Sequence, residues 1–239
     1  MTSLSVNINK IATIRNARGG NIPNVVESAV NCQRFGAQGI TVHPRPDERH
    51  IRYNDVRELR PLVSTEFNIE GYPVSQFIDL VCEVIPEQVT LVPDPPEAIT
   101  SNAGWDTIRH RSFLTDVIKQ FHAKGIRVSV FTGTNPEHIE GAAVCGADRV
   151  ELYTEPYASN FPLSPEKAVR PFVLAAQKAR EAGLQINAGH DLNLDNLKYL
   201  IQNIPFIEEV SIGHALIADA LYMGLEKTIH AYLDCLKIN

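Results

Sequence analysis

The feature that most constrains this chain is a change of period repeated from one end to the other. Short runs with an apolar residue at every second position alternate with longer stretches whose apolar residues recur every three to four positions. The first pattern suits a strand with two different faces, the second a helix with one buried stripe. The strand-like runs cover 4–9, 39–43, 65–70, 88–92, 126–131, 149–153, 184–188 and 209–212. Between them lie helical segments such as "NVVESAVNCQRFGA", "SQFIDLVCEVI", "SFLTDVIKQFHAKG", "PEHIEGAAVCGA" and "SPEKAVRPFVLAAQKAREAG". Several close on Gly just ahead of the next strand, as helix C-caps often do. A helix between successive strands implies parallel pairing. Eight such units in 239 residues match the count and size of a (β/α)8 barrel, the TIM-barrel class, with a few extra helices. No linker or low-complexity stretch divides the chain, so residues 1–239 are expected to form a single barrel domain.

A parallel strand covered on both faces usually reads as one continuous apolar run. These strands alternate instead. One face carries Val6/Ile8, Ile40/Val42, Phe67/Ile69, Val89/Leu91, Val128/Val130, Val150/Leu152, Leu184/Ile186 and Val210/Ile212. The other carries Asn7/Asn9, Thr41/His43, Asn68/Glu70, Gln88/Thr90, Ser129/Phe131, Glu151/Tyr153, Gln185/Asn187 and Ser211/Gly213. The first set is expected to pack on the helices and the second to point inward. A polar interior is costly unless it is hydrogen-bonded or lines a site.

Composition excludes several classes of function. The net charge of −6 lacks the basic footprint that a nucleic-acid backbone requires. No apolar run approaches the roughly 20 residues of a membrane span. The N-terminal "MTSLSVNINK" lacks the pattern of a signal peptide, which points to the cytoplasm. Cys32, Cys82, Cys145 and Cys235 are far apart in apolar, helix-like settings and read as buried thiols.

The chemistry-bearing residues gather where the strands end. After the first strand come Asn7, Asn9, Lys10, Arg15 and Arg18 before a Gly-Gly turn; at a barrel mouth these cations read as clamps for anionic substrates. The second strand ends at His43 and runs on to Arg45, Arg49 and His50. An imidazole whose ordinary pKa lies near about 6.5 suits proton transfer. The third ends at Glu70, an inward carboxylate that desolvation would push toward general-base range. Glu151 in the sixth strand has that reading too, although a buried structural ion pair is the better one there. The long Pro-rich stretch after the fourth strand offers Thr100 and Ser101 to an anion and has the length of a lid. The seventh and eighth strands both end in Gly-His, "NAGHD" and "SIGHA". Barrels commonly bind phosphate there, on backbone N–H groups of the following turn, with His190 and His214 beside it. Four inward histidines are also the makings of a zinc site. The polar set has no Asp cluster and no H-x-H spacing, so no metal is expected.

The segments "VNINKIATIRNARGG", "GITVHPRPDERHI", "NIEG", "LVPDPPEAITSNAGWD", "VELYTEPYA", "INAGHDLNLDNL" and "VSIGHALI" resemble, in order and spacing, those of the pyridoxine 5′-phosphate synthase family, PdxJ. That resemblance implies a (β/α)8 barrel assembling as an octamer of dimers, with no metal or organic cofactor. It implies condensation of 3-amino-2-oxopropyl phosphate with 1-deoxy-D-xylulose 5-phosphate to give pyridoxine 5′-phosphate, phosphate and water, in vitamin B6 synthesis. Position by position, it places proton acceptors at His43 and Glu70, the proton donor at His190 and a transition-state-stabilising carboxylate at Glu151. It places contacts to the amino-ketone phosphate at Asn7, Arg18, Asp191, Gly213 and His214. Contacts to the deoxyxylulose phosphate fall at Asn9, Lys10, Arg45, His50 and Thr100. Two departures stand out. Many members have Asp-His where this chain has Asn9-Lys10, and Gly where it has Asp191. The alternatives are a barrel isomerase or epimerase acting on one sugar phosphate, and a non-catalytic barrel that binds pyridoxine phosphate.

Overall fold

The computed structural model describes residues 2–94 and 103–237. Eight parallel strands run β1 (Ser3–Asn7), β2 (Gly39–Val42), β3 (Glu66–Gly71), β4 (Gln88–Leu91), β5 (Arg127–Thr132), β6 (Arg149–Tyr153), β7 (Gln185–His190) and β8 (Glu209–Ile212). They pair in sequence order, and β8 pairs back on β1 to close the barrel. Around it lie α1 (Asn9–Asn16), α2 (Val25–Arg34), α3 (Tyr53–Leu59), α4 (Ser75–Val84), α5 (Arg111–His122), α6 (Pro136–Cys145), α7 (Glu155–Asn160), α8 (Pro165–Glu181), α9 (Leu197–Asn203), α10 (His214–Met223) and α11 (Leu225–Cys235).

Local chemistry explains the helix boundaries. Asn24 and Asn135 cap α2 and α6, their side-chain oxygens accepting from the Glu27 and Glu137 amides. Gly146 ends α6 at φ 94°, a left-handed turn that a Cβ would oppose. The apolar strand face behaves as the alternation predicts. Val6, Ile40, Val42, Phe67, Ile69, Val89, Leu91, Val128, Val130, Val150, Val210 and Ile212 are wholly buried in one core with the helices. Each such side chain contributes about 1.5–3 kcal/mol of burial.

The inward face is polar and hydrogen-bonded in part; among the described residues buried Ser129 Oγ and Gln88 Nε2 have no partner. Ser5 bonds Thr41, the Asn68 amide donates to Thr41, and Thr90 donates to the Asn68 oxygen, a chain linking β1 to β4. At the N-terminal ends of the strands an ionic plug closes the barrel. Arg127 pairs with Glu66, and Arg149 bonds Gln88, Gln185 and Asn187 and lies 3.4 Å from Glu66. Glu209 is buried in that plug, and desolvation together with the neighbouring Glu66 pushes its carboxyl well above the usual range.

Six strand ends differ from the pattern: β2 and β4 stop one residue early, at Val42 and Leu91, β5 runs one residue further, to Thr132, and β1, β3 and β7 differ as follows. β1 stops at Asn7, because Ile8 leaves the extended region (φ −91°, ψ 10°) and Asn9 opens α1. β3 continues through Gly71, and β7 continues through Ala188 to His190.

Candidate active site

The C-terminal ends of the strands bring the expected residues together. His43 follows β2 and is buried, with Nδ1 3.9 Å from Glu70 Oε2 on β3. Its backbone N–H donates to Asn9 Oδ1 at 2.9 Å, while the Asn9 N–H donates to Asn7 Oδ1 at 3.0 Å. The Asn7 amide in turn reaches Glu70 Oε2 at 3.5 Å. The two asparagines therefore tie the start of α1 to the end of β2 and aim the His43–Glu70 pair inward. On the opposite wall His190 Nδ1 lies 3.4 Å from Glu151 Oε1. The Phe131 ring stands edge-on to His190 with centroids 4.9 Å apart.

This geometry separates the protonation states. Burial, then Arg45 and His50, hold the His43 imidazole well below its ordinary range, so it is neutral. Burial raises Glu70 to about 8, helped by the Glu151 carboxylate and opposed by His190. Burial alone would depress His190, but its contact with the Glu151 carboxylate, with Glu70 and Asp191 near by, lifts it to about 9. At neutral pH the site holds a neutral imidazole, a carboxyl poised near neutrality and an imidazolium. Burial and then Arg45 lower His50 to about 4. Its Nδ1 accepts from the Ile51 N–H, which fits the neutral ring.

The rim is cationic. Lys10, Arg18 and His214 are exposed, as is Asp191. Arg45 is buried and lies 3.3 Å from Asp94. Arg15 is not part of the rim: the stretch read as a basic loop is helix α1. Arg15 on its inner face grips buried Asp55 with both terminal nitrogens, at 2.6 and 2.9 Å, and the His50 carbonyl at 3.0 Å. It anchors the loop that carries His50 and is no substrate clamp. Thr100 and Ser101 lie outside the described residues. Among the described residues no three His, Cys, Asp or Glu side chains converge as a metal-ligand set.

The paired Gly-His ends have a packing cause rather than a conformational one. A Cβ on Gly189 would stand 2.7 Å from Glu151 Oε1 and 2.8 Å from the Ser211 carbonyl. One on Gly213 would stand 3.1 Å from Asn7 Cβ. Glycine at these positions makes room for two site residues. The left-handed backbone belongs to His190 itself, at φ 71°. Two residues that sequence reasoning left without a role, Phe131 and Thr154, also touch this wall; the hydroxyl of buried Thr154 donates to the Gly189 carbonyl.

The family model for "Pyridoxal phosphate biosynthesis protein PdxJ" matches residues 4–238. The chain belongs to the PdxJ family. It is 65% identical over 237 residues to a protein of Bacteroides thetaiotaomicron named pyridoxine 5′-phosphate synthase, covering 99% of this chain and 100% of that one. A protein of the same name from Phocaeicola vulgatus is also 65% identical, with the same coverage. Among solved structures, a tryptophan synthase α-subunit from Pyrococcus furiosus superposes with a TM-score of 0.64 at 14% identity, over 98% of each chain, and shares the barrel alone. This chain carries Asn9-Lys10 together with His43, Glu70, Glu151 and His190. Asn9 meets the His43 amide through an oxygen that an aspartate would offer equally.

Proposed function

We propose that this chain is a pyridoxine 5′-phosphate synthase, joining 3-amino-2-oxopropyl phosphate to 1-deoxy-D-xylulose 5-phosphate with loss of phosphate and water. Family membership supports the reaction. The observation that carries the assignment of roles is the buried centre, where a neutral imidazole lies 3.9 Å from a carboxyl raised to about 8 and an imidazolium stands on the opposite wall, 3.4 Å from a second carboxylate.

Amine addition to a ketone, elimination of phosphate, ring closure and dehydration each move protons. Glu70 takes the proton from the attacking amine. His43, being neutral, is the second acceptor. His190 donates to a leaving oxygen, and Glu151 holds the imidazolium and steadies positive charge as it moves. Arg18, His214, Gly213, Asp191 and Asn7 serve the amino-ketone phosphate. Asn9, Lys10, Arg45, His50 and Thr100 serve the ketose phosphate. The exposed Lys10, Arg18 and His214 supply cations for two phosphates, and the Gly213 end of β8 opens onto α10, whose first N–H groups suit an anion. Holding both substrates in one enclosed site supplies much of the acceleration. Neither a metal nor an organic cofactor enters this scheme.

The same reading makes the protein a cytoplasmic homo-oligomer. Leu221 and Tyr222 on α10, 71% and 91% exposed, support an assembly surface. Among the described residues no helix is long and apolar enough to cross a membrane.

Each phosphorylated compound is to be offered alone and then together. Turnover that requires both supports the synthase. A product from one alone makes the chain an isomerase, and tight binding of pyridoxine 5′-phosphate without turnover makes it a non-catalytic barrel.

A further inference from the structure

Among the described residues His190 is the one non-glycine residue of the site held at a left-handed φ, 71°, and it sits at the last position of β7. Such a conformation persists only where the surroundings over-determine it. Two constraints act on the ring, the Glu151 carboxylate and the Phe131 ring. A third acts on the backbone. Thr154 follows β6, and Tyr153 is the register partner of Gly189. Thr154 occupies the N-cap of α7, where a threonine hydroxyl ordinarily accepts from its own helix. Here it makes no cap bond. The hydroxyl instead donates across to the carbonyl of Gly189, the residue whose peptide leads into His190. Thr154 is wholly buried, and its hydroxyl is committed to that carbonyl.

We propose that Thr154 is a positioning residue for His190, its hydroxyl fixing the Gly189 peptide so that the imidazole stays between Glu151 and the reacting oxygen. The inference rests on the donor role given to His190 above. It assigns to a buried side chain at the end of the neighbouring strand the task of keeping the acid aligned, and misalignment of about 1 Å is enough to lower a rate about 100-fold.

The test is a double-mutant cycle on the full chain with both substrates. T154V keeps the shape and removes the donor. It is expected to lower kcat about 10- to 100-fold with both KM values within about twofold, since binding groups are untouched. T154S, which restores the hydroxyl, is expected to recover kcat to within about threefold. In an H190Q background T154V should cost less than about twofold more, because the residue acts through an imidazole no longer there. Losses that multiply in the double variant, a T154V effect confined to KM, or an unchanged kcat overturn the proposal. Thermal melts check the fold, and T154A, which admits a water to the same carbonyl, replaces T154V should that variant unfold. A wild-type chain without turnover would refute the synthase reading instead. The positioning claim is then decided by the His190 ring resonances, identified by their loss in H190Q, which must shift in T154V and return in T154S.

Discussion

Replacing Glu151 with glutamine isolates the electrostatic heart of the site. The substitution keeps the shape of the side chain and removes the charge 3.4 Å from His190 Nδ1. In the native site burial works to depress His190, and the Glu151 carboxylate reverses that effect and lifts it to about 9. Without the carboxylate the ring falls to its ordinary value of about 6.5 or below, a change of about 3 kcal/mol between its two protonation states. At pH 7.5 the charged fraction drops from nearly all to about one part in ten, so protonation alone costs about tenfold in rate. The sign follows from the role. A donor acts while protonated, so the alkaline limb of kcat/KM should lie near pH 9 in the native enzyme and move to about 6.5 or lower in E151Q. The acid limb should move the same way, because Glu70 is raised to about 8 first by burial and then by Glu151. The assay is pyridoxine 5′-phosphate fluorescence with parallel phosphate release, from about pH 5.5 to 10. An E151Q profile whose alkaline limb stays near pH 9 would refute the coupling.

Three further outcomes follow from packing and charge. G189A drives a Cβ to 2.7 Å from Glu151 Oε1; it should lower stability by about 1–3 kcal/mol in urea melts and depress kcat through the displaced carboxylate. D55A strands the buried Arg15 guanidinium; the expected loss is about 3–5 kcal/mol, read as a lowered Tm, and His50 should lose its place. Glu209 keeps its proton when folded and sheds it when unfolded above its ordinary value of 4.5, so its raised pKa removes stability as pH climbs from there through the folded value. E209Q should therefore raise Tm at about pH 8 and leave it nearly unchanged at about pH 4, as calorimetry at the two values will decide.

The barrel was legible because period-two alternation and helical spacing are local signals. Strands 149–153 and 209–212 lie where the pattern puts them, and the apolar face is the buried one. Single-residue contacts were not legible. Arg15 reads as a loop cation until α1 turns it toward Asp55, a partner 40 residues away that no local pattern announces. The plug of Arg127, Arg149, Glu66 and Glu209 likewise joins four strands that touch only once the sheet closes. The Gly-His pairs were legible as the ends of two neighbouring strands. Their cause was not, since it lies in the volumes of Glu151 and Asn7 on neighbouring strands. The residues by themselves favoured a structural Glu151 and the resemblance a stabilising one; its carboxylate lies 3.4 Å from His190 Nδ1.

The central claim is that one buried centre completes a two-substrate condensation. Its most direct test follows pyridoxine 5′-phosphate and inorganic phosphate together when metal-free protein meets both substrates, with E70Q alongside. The account predicts one phosphate for each pyridoxine 5′-phosphate formed, and no condensation in E70Q. Phosphate without pyridoxine 5′-phosphate, or an E70Q rate equal to that of the native chain, would contradict it.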